Sequence, residues 1–384
     1  MSVDWNHLWS APHKTALELA KENRVLAFES LGFSSRALVP SDLGRLWHRA
    51  KRFFSRGESF QENLSVYSLP GIPFLGLPGV QFVNFHWQLA ALKGILRDRQ
   101  IKKPLLWTCL PTENFLRLAE NLDHSGIVYD CLDDFSSFRG APANLFAIEK
   151  ELCEKSAVVF TVSAKQRKLK LDFNPATYYL PNAADPEHFD KAADEKTPIP
   201  EDLTQIPGPR IGFLGSFDSW VDMPLIDQMA EARSDWSFVM VGPTDGLKTS
   251  DIPKRKNIFF LGEKPYAALP EYMKGLDIAV LPFRSGDHMD SSDPIVMYDF
   301  LAAGKPVIAT HFPAALAMGS DLVDVNDSLE GMIASIEKEL DLLQDSMQAK
   351  ALAWKRRQAV KGRTWQTRVH DQLAAISKHS TETT

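Results

Sequence analysis

Short apolar runs of strand length alternate with helical segments along most of the chain, and this alternation constrains the fold more than any other feature. Strands that alternate with helices predict a largely parallel sheet covered by helices. In the first half of the chain we expect strands at 24–30, 80–85, 104–108, 126–129 and 157–163, with helices at 17–21, 87–98 and 147–155. The pattern restarts at Arg210, and further strands are expected at 237–241, 257–261, 277–281 and 306–310. The sequence therefore predicts an α/β protein with two such sheets.

The length of 384 residues exceeds what one hydrophobic core usually organises, so two domains are expected. Between the two sets of strands, residues 186–209 are rich in proline and charge, which is typical of a linker. We predict an N-terminal domain at 1–185, a linker at 186–209, a C-terminal domain at 210–355, and a C-terminal helix with a disordered tail at 356–384. Amphipathic helices are expected at 328–347 and 349–376, with Trp365 in the core.

Composition excludes several classes of protein. A net charge of -6 argues against nucleic acid as a partner, because nucleic-acid binding needs a basic surface. No apolar run approaches the roughly 20 residues of a membrane span, and the first residues lack the pattern of a secretory signal. The 3 cysteines have no CxxC spacing, and no His/Asp/Glu cluster has metal-ligand spacing. We expect a cytoplasmic protein with reduced cysteines and no metal or other cofactor.

The segment from Asp277 to Thr310 reads as a strand, a polar loop, a helix and a second strand. Ser292 or Asp293 is expected to cap the helix, whose first turn carries Pro294, and Gly304 ends it. The helix therefore begins at the carboxyl end of a strand, where its unpaired amides and its dipole favour a phosphate. Read alone, the segment also fits an ordinary buried strand-helix-strand unit.

A second group of polar residues follows the strand expected at 126–129. Asp130, Asp133 and Asp134 lie in or just after this strand. Open α/β sheets bind ligands at the carboxyl ends of their strands, so these carboxylates are candidates for chemistry. The alternative is a turn rich in aspartate that caps the helix after it.

The order of residues around the first segment resembles the donor-binding segment of GT-B glycosyltransferases. The matching positions are Pro294, Tyr298, Phe300, Leu301, Ala302, Gly304, Lys305, Pro306 and Val307. The crossover at 180–189 and the strand with Gly212 and Gly215 follow in the order that the family shows. The chain is thus similar to bacterial family 1/4-like members of the polysaccharide or exopolysaccharide biosynthesis type. The resemblance implies two Rossmann-like domains that face a cleft, with the last helix crossing back to the N-terminal domain.

The resemblance also implies a donor site in the C-terminal domain. Asp299 would hold the ribose hydroxyls, the loop at 262–266 would read the base, and Lys264, Arg284 and Lys305 are candidate cations for the diphosphate. Three features depart from the family pattern. Val296 stands where a lysine is usual, and Asp299 stands where a glutamate usually holds the donor ribose. Residues 216–222 also lack the basic pair of many retaining members. The predicted donor-binding residues are Gly212, Gly215, Ser216, Pro243, Gly262, Lys264, Tyr266, Arg284, Ser292, Pro294, Ile295, Val296 and Asp299.

On the acceptor side, the resemblance implies an aspartate that acts as the base for the acceptor hydroxyl. A base of this kind must reach the hydroxyl through a hydrogen bond. Asp133 is the first candidate and Asp134 the second, and Asp130 would orient their loop through backbone amides. His13 follows an N-terminal loop with Asp4, Trp5, Trp9 and Pro12. It is a further catalytic candidate, with a structural role as the alternative.

Residues 45–56 combine five basic side chains with Leu46, Trp47, Phe53 and Phe54. Helical spacing places Leu46, Phe53 and Phe54 near one side, as in an interfacial helix at the inner face of the plasma membrane. The other interpretation is a solvated helix that buries its aromatic side in the domain.

Together these features predict a glycosyltransferase that moves a sugar from a nucleotide diphosphate sugar, with UDP favoured. The acceptor would be a hydroxyl of a glycan or a lipid-linked glycan in cell-surface polysaccharide synthesis. Two alternatives remain open: a non-catalytic glycosyltransferase-like partner of an assembly complex, and a nucleotide-sugar 2-epimerase.

Overall fold

The structure is a computed structural model that describes residues 10–29, 58–71, 79–138 and 141–380. The chain divides into two compact units. Unit 1 comprises residues 1–181 and 369–384, and unit 2 comprises residues 182–368. The boundary thus lies after Pro181, ahead of the segment predicted as a linker.

The described residues of unit 1 form two small sheets flanked by helices. Its strands are β1 Val25–Glu29, β2 Glu58–Gln61, β3 Leu64–Ser68, β4 Leu105–Thr108, β5 Gly126–Cys131, β6 Val158–Thr161 and β7 Thr177–Tyr179. Its helices are α1 Ala11–Leu19, α2 Val80–Asp98, α3 Glu113–Glu120, α4 Leu145–Lys155 and α5 Ala164–Leu171, with a 3-10 turn at Phe135–Ser137. Strands β4 to β7 pair in sequence order and in parallel, whereas β3 pairs with β1 in parallel and with β2 antiparallel.

The strand predicted at 80–85 is wrong, because these residues begin the helix α2. Phe85, Gln88 and Leu92 are buried, and this spacing of three and four residues is that of one helical face. The apolar run was long enough for a strand, and periodicity alone does not separate such a run from a buried helical turn.

Unit 2 is built on one parallel sheet of six strands. They are β8 Arg210–Leu214, β9 Ser237–Val241, β10 Ile258–Gly262, β11 Ile278–Leu281, β12 Val307–Ala309 and β13 Val323–Val325. The helices are α6 Pro186–Phe189, α7 Glu201–Thr204, α8 Met223–Ala232, α9 Leu269–Gly275, α10 Asp287–Ser291, α11 Ile295–Ala302, α12 Pro313–Met318, α13 Leu329–Gln344, α14 Ser346–Val360 and α15 Trp365–Ser380. Helix α15 continues past residue 368 into unit 1. The strand order is β10-β9-β8-β11-β12-β13. The mixed α/β fold predicted from the sequence is confirmed.

Residues 186–209 are part of unit 2, although their composition is that of a linker. They form α6, α7 and a 3-10 turn at Asp190–Ala193. Phe189 and Leu203 are completely buried in the core of this unit. These two apolar side chains anchor α6 and α7 in the core. Both helices are too short to show a periodic apolar pattern in the sequence.

The C-terminal residues also differ from the sequence prediction. The single helix expected at 349–376 is two helices, α14 and α15, which are separated at 361–364. Trp365 is buried, as predicted. The two ends of unit 2 are hydrogen-bonded to each other, since the Ala184 amide donates to the Arg363 carbonyl over 2.9 Å and Ala184 pairs in parallel with Thr364. No helix among the described residues is long and apolar enough to cross a membrane.

Candidate donor site and acidic loop

The sheet of unit 2 has a topological switch point between β8 and β11. From β8 the chain moves outward through β9 and β10, and from β11 it moves the opposite way through β12 and β13. Ligands of open α/β sheets bind outside the carboxyl ends of the strands at such a point. Gly215 and Ser216 directly follow β8, and Arg284 lies in the loop after β11. Three predicted donor-binding residues therefore belong to the two loops that leave the switch point.

The loops after β8 and β9 approach each other closely because both begin with glycine. Gly215 and Gly242 have positive φ angles of 147° and 146°. A Cβ on Gly242 would lie 1.9 Å from the carbonyl oxygen of Gly215, so only glycine fits there. Gly212 differs from the prediction, since it lies inside β8 and a Cβ there would meet the Leu276 side chain at 2.2 Å. Its role in the structure is close packing.

Backbone hydrogen bonds join the loops at the carboxyl edge into one rim. The Asp222 amide donates to the Pro282 carbonyl over 2.7 Å, and the Arg284 amide donates to the Trp220 carbonyl over 2.8 Å. The guanidinium of Arg284 is half exposed and lies 3.9 Å from the Asp222 carboxylate. Arg284 is therefore a positive group at the switch point that remains in contact with solvent.

Helix α11 starts one residue later than predicted, and neither Ser292 nor Asp293 caps it. Its N-cap is Pro294, whose side chain cannot accept a hydrogen bond from the first amides. The Ser292 hydroxyl donates to the His288 carbonyl over 2.8 Å, and the Asp293 carboxylate is buried against other residues. The first amides of a helix have no partner within it, so this helix start retains the property that favours a phosphate. Val296 is half buried and packs against the apolar core.

The structure brings Asp299 and Tyr266 together. Burial and the charges of Asp299 and Asp185 raise the pKa of Tyr266 well above its usual value. The hydroxyl of Tyr266 donates to Asp185 over 2.9 Å, and its ring stacks on His188 with centroids 4.2 Å apart. The hydroxyl and the ring of Tyr266 thus hold the loop at 262–266 against the start of α6.

Two of the three candidate cations are engaged elsewhere. The Lys264 ammonium lies 2.7 Å from the Asp202 carboxylate, and this hydrogen bond raises its pKa. Lys305 precedes β12, at the amino edge of the sheet, and its ammonium donates to the Lys274 and Leu276 carbonyls over 3.1 and 2.6 Å. Burial lowers the pKa of Lys305 to about 8. The prediction that Lys305 contacts the diphosphate is wrong, because its ammonium caps the carbonyls at the end of α9. These carbonyls lie at the amino edge of the sheet, opposite the switch point.

We expect Lys305→Met to lower the free energy of unfolding by about 1–3 kcal/mol, since it leaves carbonyls at the end of α9 without their donor. Nucleotide affinity should stay at the wild-type value, because the side chain lies at the edge of the sheet away from the switch point. Chemical denaturation gives the first quantity and calorimetry with UDP the second. A loss of affinity above about tenfold would return Lys305 to the donor site.

A cavity of about 250 Å³ opens beside the rim, between β11, β12 and the start of α8. It is lined by Asp222, Pro224, Leu225, Gln228, Phe283, Ser285, Thr310, Asp327 and Leu329. Its two charged groups are carboxylates, which would repel a diphosphate. The phosphate site is therefore better placed at Gly215, Arg284 and the start of α11.

In unit 1, the acidic loop follows β5 as predicted, and its carboxylates have different contacts. Oδ1 of Asp134 accepts hydrogen bonds from the amide and hydroxyl of Ser136 over 3.1 and 2.5 Å, which caps the 3-10 turn. Oδ1 of Asp133 accepts from the Asp134 amide over 3.0 Å. Asp130 is completely buried and accepts from the Gln372 side chain over 3.1 Å. The capping interpretation applies to Asp134, and the base assignment to Asp133 stays a prediction.

Sequence reasoning missed a buried ion pair that supports this loop. The Tyr129 hydroxyl donates to Glu149 over 2.7 Å, and the Lys170 ammonium lies 2.9 Å from the same carboxylate. These residues come from β5, α4 and α5, so local sequence patterns hold no sign of their contact. The group fixes the strand that carries the acidic loop.

His13 is completely buried in unit 1. Its Nδ1 accepts a hydrogen bond from the Ser10 amide over 3.2 Å, and this contact belongs to the N-terminal cap of α1. These contacts are those of a structural residue, and a catalytic role for His13 stays a prediction. Residues 45–56 and Asp4, Trp5 and Trp9 lie outside the described residues. Within the described ranges, no group of three or more His, Cys, Asp and Glu is arranged to hold a metal ion.

Comparisons with known proteins agree with this geometry. Residues 208–342 match the family model described as glycosyl transferases group 1. TuaH of Bacillus subtilis, named as a candidate teichuronic acid biosynthesis glycosyltransferase, is 26% identical over an alignment of 256 residues. The match covers 61% of this chain and 63% of the relative. The match thus spans less than two thirds of the length of that relative.

Solved structures share the fold over nearly the whole chain. Sucrose-phosphate synthase from Thermosynechococcus elongatus has a TM-score of 0.68 at 15% identity, with 97% of this chain and 93% of that chain covered. HepE from Anabaena, in complex with UDP and glucose, has a TM-score of 0.64 at 13% identity, with 98% of both chains covered.

The fold is the GT-B architecture of these solved structures. Residues 208–342, which match the group 1 glycosyltransferase family model, carry the switch point and α11. The resemblance predicted from the sequence is confirmed.

Proposed function

We propose that the protein transfers a sugar from a nucleotide diphosphate sugar, with UDP as the favoured nucleotide, to a hydroxyl of a glycan or a lipid-linked glycan. The observation that carries the proposal is the switch point of unit 2, because the glycine loop follows β8 there, and Arg284 and then the start of α11 follow β11. A nucleotide sugar is already activated, so the site must hold the diphosphate and stabilise the charge that develops as it leaves. The HepE structure, which contains UDP, supports the choice of nucleotide.

The diphosphate would be neutralised by the Arg284 guanidinium and by the amides of α11 and Gly215. Val296 stands where a lysine is usual, so these groups would have to supply most of the positive potential. Oriented backbone amides are effective anion ligands. We propose that this arrangement works without a divalent cation, which an assay of turnover with and without EDTA would test.

The name of TuaH supports a cell-wall polysaccharide as the end product. The proposed acceptor is therefore a polar glycan, which would approach the acidic loop of unit 1 with Asp133 as the base. Attachment to the inner face of the plasma membrane through residues 45–56 is part of this proposal, since a lipid-linked acceptor lies there.

UDP is expected to stabilise the protein against thermal unfolding. A ligand present at about 100 times its Kd stabilises the folded state by about 2.7 kcal/mol. Uridine, which lacks the diphosphate, is the matched control and should give a much smaller shift of Tm. Mass spectrometry with UDP-sugars and GDP-sugars would then identify the donor through its slow hydrolysis.

The same measurements separate the alternatives. A non-catalytic partner protein would bind UDP without any donor hydrolysis, and an epimerase would return an isomer of the nucleotide sugar with the diphosphate intact. The absence of binding by UDP, GDP and ADP would contradict the proposal.

A further inference from the structure

The carboxylate of Asp293 connects the start of α11 to a segment that is 111 residues away in the chain. Its Oδ2 accepts a hydrogen bond from the Asn182 amide over 2.6 Å, and its Oδ1 accepts from the Tyr298 hydroxyl over 2.6 Å. The Asn182 side chain donates in turn to the Asp293 carbonyl over 2.7 Å. Asp293 and Asn182 are each only 4% exposed. Two hydrogen bonds in the interior thus join the crossover into unit 2 to Asp293, and a third joins Asp293 to the first turns of α11.

When it is ionised, the buried carboxylate of Asp293 lowers the stability of the folded protein. Burial raises the pKa of Asp293 to about 6, although the hydrogen bonds from Tyr298 and Asn182 and the charges of Arg363 and Arg368 oppose the shift. The folded state therefore holds the proton more tightly than the unfolded state, and the contribution of Asp293 to stability grows as the pH falls from about 6 towards 4. At neutral pH the buried charge lowers stability, and buried charges are weak evidence of a stabilising role.

The position of Asp293 in the chain indicates that its carboxylate holds the start of α11 in place. It lies two residues before Ile295, the first residue of α11, and Pro294 between them has no amide to hold the chain. At the other end, the Lys305 amide donates to the Phe300 carbonyl over 2.9 Å, so the end of the helix is held separately. A displacement of about 1 Å of a positioning group can cost about 10²-fold in reaction rate. The place of the first amides of α11 therefore depends on the contacts of Asp293.

We propose that Asp293 and Asn182 form a positioning pair that sets the place of the α11 N-terminus for the donor diphosphate. The inference rests on the proposed function, because it concerns how the same site is held. Neither side chain contacts the donor in this proposal. Tyr298 is the third member of the arrangement, and the Arg363 guanidinium lies 4.8 Å from the centroid of its ring.

The test measures the Kd of UDP by calorimetry at pH 8, where Asp293 is ionised, together with Tm. Asp293→Ala should weaken UDP binding at least about tenfold, since all side-chain contacts to Asn182 and Tyr298 are lost. Asp293→Asn should fall between this variant and the wild type, because an amide has one acceptor oxygen in place of two. Tyr298→Phe should weaken binding by a few-fold, since it removes one of the hydrogen bonds and keeps the ring.

Lys305→Met is the matched control. Lys305 is half buried next to α11, but it lies at the amino edge of the sheet, so this variant should lower Tm and leave the Kd of UDP unchanged. If Asp293→Ala does not fold, Asp293→Asn and Tyr298→Phe carry the test. Wild-type UDP affinity in both would overturn the positioning role. An equal loss of affinity in Lys305→Met would also overturn it, since the effect would then follow from general destabilisation.

The outcome for the wild-type protein separates this inference from the function on which it rests. If the wild type binds none of UDP, GDP and ADP, the proposed function fails and the positioning role fails with it. If the wild type binds UDP and the Asp293 variants bind it equally well, only the positioning role is overturned.

Discussion

Replacing Asp133 by asparagine is expected to lower kcat by about 10²–10³-fold, because a positioned carboxylate that accepts the proton of the acceptor hydroxyl contributes a factor of this order. The Kd of UDP should stay near the wild-type value, since Asp133 lies in unit 1 and the predicted donor site lies in unit 2. Initial rates at saturating donor and acceptor give kcat, and calorimetry gives the Kd.

Asp134→Asn is the matched control for this variant. Asp134 caps the 3-10 turn through one carboxylate oxygen, and an asparagine side chain supplies the same acceptor. Its kcat should therefore remain within a few-fold of the wild type. Loss of turnover in Asp134→Asn with full turnover in Asp133→Asn would exchange the two roles. Full turnover in both would remove the base from this loop.

The Asp299→Ala variant should weaken UDP binding by about 30- to 100-fold. Hydrogen bonds to a charged group contribute about 1.5–3 kcal/mol, and a loss of about 2–3 kcal/mol corresponds to that range of affinities. The circular dichroism spectrum should be unchanged, because Asp299 lies only half buried on α11. Calorimetric titration with UDP is the measurement.

Asp299→Glu provides the control, because the resemblance places a glutamate at this position. It restores a carboxylate with one more methylene, and we expect its UDP affinity to lie within about fivefold of the wild type, a difference below about 1 kcal/mol. UDP affinity that is unaltered in Asp299→Ala would remove the ribose contact from this residue.

The parallel strands of unit 2 could be predicted from the sequence because they are buried on both faces. Strands of this kind are continuous apolar runs. Strands β9, β11 and β12 lie within the predicted ranges, and β8 begins at Arg210, where the pattern was predicted to restart. In unit 1, a run of similar composition at 80–85 is a helix. The difference depends on which side chains the rest of the unit buries, and the local sequence contains no information on that.

In the candidate site, too, some positions could be predicted from the sequence and others could not. Gly215 and Arg284 could be placed at the carboxyl edge because they directly follow strands of a parallel sheet. The position of Lys305 could not, since the residues Lys274 and Leu276 that receive its hydrogen bonds are 31 and 29 positions away. The same holds for Asp293, whose short side chain and place before a proline predicted an N-cap. In the structure, a contact with Asn182 competes successfully with that local role.

The hydrogen bond between Ala184 and Arg363 has a consequence for how the chain could be rearranged. The chain enters and leaves unit 2 at one paired site, so residues 182–368 are an insertion with adjacent ends. Domains whose ends lie close together tolerate circular permutation and insertion into another chain. Unit 2 could therefore be exchanged at residues 182 and 368 for the corresponding unit of another protein with this fold, while the acidic loop of unit 1 stays unchanged.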